Sequence, residues 1–250
     1  MPLVDWVYVV LLLVGATAYE YLYFWPRFRA AVAAGKVNAR LGAYRRGVFG
    51  QWLFTITALA IWATQGRSWK SLGLAELRGW QLGLGIGIVL ASIGLLVLQL
   101  WSVLRLPAER RVAARPKLGS LTFMLPHTAR EQGWFVTLSL TAGFCEELLY
   151  RGYLPWFFTP WLGRPVAMLV VVLAFGISHL YQGRGGAIKA TIAGAVMAGM
   201  VLATGSLIPA MIAHALTDIG GGTVGYLLLR EQLLTGSAAT AASASSLQGG

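Results

Sequence analysis

Charge is scarce in this sequence. Of 250 residues only 12% are Asp, Glu, Lys or Arg, against 57% hydrophobic, a balance that excludes an ordinary soluble globular domain of this length. Cysteine is nearly missing as well: Cys145 stands alone, so no intramolecular disulfide forms and no redox compartment follows. The first apolar stretch has no Lys or Arg before it and carries Asp5, unlike a secretory leader despite the small residues at Ala16 and Ala18; it reads as a retained helix. Acidic residues number 9 against 20 Lys and Arg, a formal charge of +11. In a soluble protein that excess would point to nucleic acid. Here the basic residues fall in connectors between apolar runs, where loops and anionic headgroups account for them, so the expected partner is the lipid bilayer and no nucleic acid.

What the sequence has in quantity is long apolar runs. A spanning helix needs about 20 mostly apolar residues, and hydropathy places seven such spans at roughly 4–24, 47–65, 80–104, 134–158, 165–182, 187–204 and 206–229. The expected fold class is all-α: a polytopic transmembrane helical bundle of about seven spans, with an active site buried between helices. Arg27, Arg29, Lys36, Arg40, Arg45 and Arg46 follow the first span. Arg105, Arg110, Arg111, Arg115, Lys117 and Arg130 follow the third. The alternating loops hold only Arg67, Lys70, Arg78 and Arg164. This bias places the N-terminus outside and the C-terminus inside a multi-pass protein of the cell membrane. The connectors 27–46 and 106–133 suit interfacial helices as well as plain loops. From Gly236 to Gly250 the chain is small, polar and uncharged, which reads as a disordered tail.

Gly83, Gly85 and Gly87 lie inside an apolar run without the strand pattern of a nucleotide loop, so close helix packing explains them. The same reading applies to the small-residue stripe Ala190, Gly194 and Ala198.

Ionisable residues inside apolar spans are costly, and each is a functional candidate by default. The fourth span contains Glu146, Glu147 and Arg151. The i, i+4 spacing pairs Glu147 with Arg151. Glu146 points about 100° away around the helix, free to face a different cavity and to act on water as a general base. In the fifth span Phe175 and His179 share a face, so the ring walls the pocket beside the imidazole. In the seventh, Asp218 stands four residues beyond His214, a spacing that lets it orient the imidazole. Cys145 with a histidine offers a competing nucleophile and base pair, although a buried Cys is more often a small hydrophobe. His127, beside Pro126, reads as an interfacial loop residue.

Glu-Glu-x-x-x-Arg at 146–151, Phe-x-x-x-His at 175–179 and His-x-x-x-Asp at 214–218 resemble, in order and separation, the CAAX protease and bacteriocin-processing family. This is the Abi family, which includes the type II CAAX prenyl endopeptidases. The resemblance covers roughly 66–229, leaving 1–65 as N-terminal helices with their basic connector and 230–250 as the tail. It implies an intramembrane endopeptidase in which Glu146 activates water, Glu147 and Arg151 support it, and His179, His214 and Asp218 complete a polar shell that stabilises the oxyanion. The prenyl proteases typically have Asn where this chain has Asp218, and an anionic group is a poor oxyanion donor, so orienting His214 is the role expected of it. That departure leaves the substrate open: a membrane protein or lipidated peptide, prenylated or bacteriocin-like. No cofactor is expected. A zinc site, if any, would use Glu146, His179 and His214, but the sequence lacks His-Glu-x-x-His. Two rival readings use the same residues. One is a proton-coupled transporter or channel, for which Gly220 to Gly222 would unwind the last span. The other is a catalytically silent immunity or scaffold protein.

Overall fold

Each of the seven expected apolar runs coincides with a helical segment in the structure, a computed structural model. It describes residues 1–247, apart from the side chains of Ser120 and 231–247. Of the expected tail, 230–247 continue the last helix and 248–250 lie outside the described residues. The segments are α1 (Leu3–Ala33), α2 (Ala39–Thr64), α3 (Gly79–Leu104), α4 (129–162), α5 (Arg164–Ser178), α6 (Arg184–Thr204) and α7 (Ile208–Leu247). No strand occurs among the described residues.

Four segments, α1, α2, α3 and α6, are long and apolar enough to cross a membrane by length and composition. The other three fall short for physical reasons. α5 has only 15 residues, and α4 and α7 carry the ionisable side chains noted above. The outer surface is what a bilayer requires: Leu22 is 73% exposed and Leu95 66%, and along the whole of α3 only Gly85 is buried. In water such a surface would drive association; in hydrocarbon it is the solvated face. The protein is a helical integral membrane bundle.

The connectors are largely helical. α1 continues past the expected end of the first span to Ala33, so Arg27 and Arg29 ride on a helix, and only 34–38 separate it from α2. Between α3 and α4 lie a short helix, Ala108–Ala114, and a tight turn, Arg115–Leu121. α4 starts with a reciprocal cap: Thr128 Oγ1 accepts from Glu131 N at 3.2 Å while Glu131 Oε2 accepts from Thr128 N at 3.1 Å. It ends at Gly163, whose φ of 72° suits glycine and breaks the chain into α5.

α7 packs along α4 and α3, α4 along α2, and α5 against α6 and the second half of α4. Small residues set the closest approaches, as expected where apolar lipid offers helices no hydrophobic incentive to associate. A Cβ on Gly143 of α4 would lie 2.7 Å from both Ala215 Cβ and Met211 O of α7. Of Gly83, Gly85 and Gly87 on α3 only Gly85 meets neighbours, Leu77 and Pro209, while Gly83 and Gly87 face open space. Gly220 and Gly222 do not unwind α7. The helix runs through them, because Gln99, Leu96 and Phe135 pack into the space that a side chain would fill.

The N-terminal helix is stapled to the rest at a buried ion pair. Asp5, fully buried, accepts from Arg67 Nη1 at 2.8 Å and Nη2 at 2.6 Å and from the Tyr153 hydroxyl of α4. The guanidinium lies 4.4 Å over the Trp156 ring.

Two stability predictions follow from these contacts, each read by thermal unfolding in detergent. Asp5→Ala strands Arg67 and the Tyr153 hydroxyl and should cost about 3 kcal/mol; an unchanged midpoint would show that the staple holds nothing. Gly143→Ala should cost about 1–3 kcal/mol by forcing α4 from α7, whereas Gly87→Ala should be neutral or slightly stabilising.

Candidate active site

Two adjacent glutamates on α4 have opposite surroundings. Glu147 is fully buried, and its Oε1 lies 3.1 Å from Arg151 Nη1, also buried, and 2.7 Å from His214 Nδ1. Glu146, one residue earlier, faces a cavity of about 490 Å³, also lined by Gln51, Cys145, Tyr150, Phe175 and His179. Its Oε1 accepts from Gln51 Nε2 of α2 at 2.9 Å, and its Oε2 lies 3.9 Å from His214 Nε2. The helix supplies this division by its own rotation, as the sequence leads one to expect.

The local backbone is unusual at this point. Directly after Glu147 the helix widens into a π-type turn, Leu148–Tyr153, which contains Arg151. Such turns recur at functional sites. This one carries Tyr150 to the cavity and Tyr153 to Asp5, and nothing in the sequence marks it.

Arg151 has no hydrogen bond of ordinary geometry among the described residues. It is held instead by charge, against Glu147, and by the face of Phe175, whose ring centroid is 4.3 Å from Cζ. Gly194 of α6 makes room for this packing: a Cβ there would lie 2.8 Å from Arg151 Nη2 and 3.1 Å from Phe175 Cδ1. The small-residue stripe on α6 is thus part of the site's wall. Phe175 touches both imidazoles, with ring centroids 4.4 Å from His179 and 6.3 Å from His214.

Hydrogen bonding assigns the tautomers. His179 Nδ1 lies 2.8 Å from Phe175 O, and a carbonyl only accepts, so Nδ1 carries hydrogen and Nε2 of the neutral ring is an acceptor. His214 Nδ1 likewise donates to the Glu147 carboxylate. The group that orients His214 is therefore Glu147, 67 residues away in sequence. Asp218, the expected orienter, has Oδ2 3.6 Å from Nε2, beyond hydrogen-bond distance, and its side chain is 41% exposed. The i, i+4 spacing brings the two side chains close without closing a bond.

Glu146, His179 and His214, the residues of the alternative zinc site, are not gathered into a metal-binding set; no group of three His, Cys, Asp or Glu side chains of that kind occurs among the described residues. Cys145 is buried and free. His127 lies apart from the site at the start of α4, its Nε2 3.5 Å from Thr122 O. Burial and the nearby Arg40 hold its imidazole below the ordinary value.

The N-terminal helices contribute more than the motifs indicate. Besides Gln51, the ring of Trp25 on α1 stacks on Tyr181, two residues past His179, at 3.8 Å and 4° between planes. Arg29 donates to the Tyr181 carbonyl. Glu20 of α1 and Arg46 of α2, paired at 2.7 Å, line the same cavity. No sequence signal singles out these residues, since their partners lie on other helices.

No curated protein and no solved structure matches the chain. A family model does match, described as "Rce1-like: Type II CAAX prenyl endopeptidase Rce1-like", over residues 129–220. That range contains Glu146, Glu147, Arg151, Phe175, His179, His214 and Asp218, so residues 129–220, which carry all three motifs, are similar to the Rce1-like family.

Proposed function

We propose that this protein is an intramembrane endopeptidase that hydrolyses a peptide bond of a membrane-associated protein or peptide, with water activated by Glu146. The observation that carries the reading is the division of labour between the two glutamates. Glu147 is committed to Arg151 and His214, while Glu146 faces the cavity beside one neutral amide. A carboxylate without a bonded cation keeps its capacity to take a proton.

In this mechanism water adds to the scissile carbonyl carbon as Glu146 accepts one of its protons. The negative charge that develops on the carbonyl oxygen is met by His214, whose Nδ1–H is fixed on Glu147 and whose protonated Nε2 donates to the oxyanion. Collapse then breaks the carbon–nitrogen bond, and the leaving amine takes the proton from Glu146. His179, with Nδ1–H on Phe175 O, offers an acceptor at Nε2 for a substrate N–H.

The substrate class is membrane-associated, either prenylated at a CAAX-type C-terminus or bacteriocin-like. Aromatic rings from α1 and α2, among them Phe24, Phe28 and Phe54, line the cavity and suit an apolar chain. The distribution of Lys and Arg supports a protein of the cell membrane with its C-terminus inside, and Arg46, in the basic first part of α2, lines the cavity. The chemistry assigned here needs no metal.

The test is cleavage of a library of membrane peptides and prenylated C-terminal peptides by the purified protein in detergent, read by mass spectrometry with and without a strong chelator. The wild type should cleave in either condition, and Glu146→Gln should lower the rate by about 10²–10⁴-fold. Retained cleavage in that variant would refute the base assignment, and loss on chelation would refute metal-free chemistry.

A further inference from the structure

A hydrogen bond ties the site to a helix outside the Rce1-like segment. Gln51 of α2 donates from Nε2 to Glu146 Oε1 at 2.9 Å, and both side chains line the cavity. The other carboxylate oxygen, Oε2, is the one that looks toward His214 Nε2. The terminal torsion of a glutamate is broad and roughly two-fold, so an untethered carboxylate spreads its lone pairs over many directions. Here one oxygen is fixed and the other is left open.

We propose that Gln51 is a positioning residue for Glu146: it holds one carboxylate oxygen so that the other is aimed at the water to be deprotonated. This rests on the reading of Glu146 as the base. A neutral amide suits the task, because it directs the carboxylate through a hydrogen bond without neutralising its charge, as Arg151 does for Glu147. The amide's own Oε1 is buried and has no hydrogen-bond partner among the described residues.

The packing of α2 on α4 supports a fixed rather than a chance contact. Trp52, the neighbour of Gln51, stacks on Phe144, two residues before Glu146, with centroids 5.4 Å apart and planes 23° from parallel. One turn before Gln51, a Cβ on Gly47 would lie 3.0 Å from Leu138 Cδ1, so the two helices approach closely at this level. Register and distance are both set by residues flanking the hydrogen bond.

The experiment measures kcat and KM for wild type, Gln51→Met, Gln51→Asn and Glu146→Gln in detergent, on a peptide that the wild type cleaves. Gln51→Met keeps length and removes the donor. It should lower kcat about 10- to 100-fold with KM within about twofold, the pattern of a contact that acts in the transition state. Gln51→Asn, which retains an amide, should recover part of the loss. Should Gln51→Met fail to fold, Gln51→Leu carries the same expectation. Wild-type kcat in the folded variant, or a loss confined to KM, would overturn the proposal while an inactive Glu146→Gln leaves the base assignment standing. Cleavage by Glu146→Gln would remove the base assignment and this proposal together.

Discussion

A single buried oxygen, Glu147 Oε1, is the point on which the site depends. A carboxylate with no exposed surface, deep in an apolar bundle, is tolerable only when its charge is met at close range. Glu147 meets this demand twice, with Arg151 four residues on in its own helix and with His214 from α7. The first contact balances charge. The second holds Nδ1–H of the imidazole on Glu147 and so turns Nε2 toward Glu146 and Asp218. Because Glu147 absorbs these partners, Glu146 is left with an amide hydrogen bond, the cavity and His214 Nε2 at 3.9 Å.

The surrounding helices make that arrangement possible by getting out of its way. Gly143 lets α7 come near enough for His214 to reach α4, and Gly194 leaves room for the Arg151 guanidinium and the Phe175 ring. Neither glycine contributes a functional group. On the other side α1 and α2 close the cavity with aromatic rings and with Gln51, and Asp5 anchors α1 through Arg67 and Tyr153. The segment that carries the family motifs is thus only part of the chamber they face.

Hydropathy located the seven long helical segments, because apolar runs interrupted by polar connectors are a signal contained within each stretch of chain. The same is true of the Glu147–Arg151 pair and of Phe175 beside His179, each a contact one helical turn apart. What sequence could not supply was any contact between helices. Spacing pointed to Asp218 as the orienter of His214, but the bond that forms is to Glu147, a choice made by the approach of α7 to α4. Gln51 reads as an unremarkable polar residue in the second span until α2 is laid against Glu146. The π-type turn after Glu147 and the helical continuation of α1 past the first span also depend on packing. Gly220 and Gly222, read as a place for α7 to unwind, instead receive neighbouring side chains.

The most direct test of Glu147's double role is a comparison of Glu147→Leu with the double variant Glu147→Leu/Arg151→Met, following thermal unfolding and peptide cleavage together. If one oxygen balances Arg151 and orients His214, the single variant should lose stability through its stranded guanidinium. The double variant should regain most of that stability while remaining unable to cleave, because an apolar pair removes the charge problem but restores no acceptor for His214 Nδ1. Cleavage by the double variant at the wild-type rate, or stability no better than that of the single variant, would contradict the account.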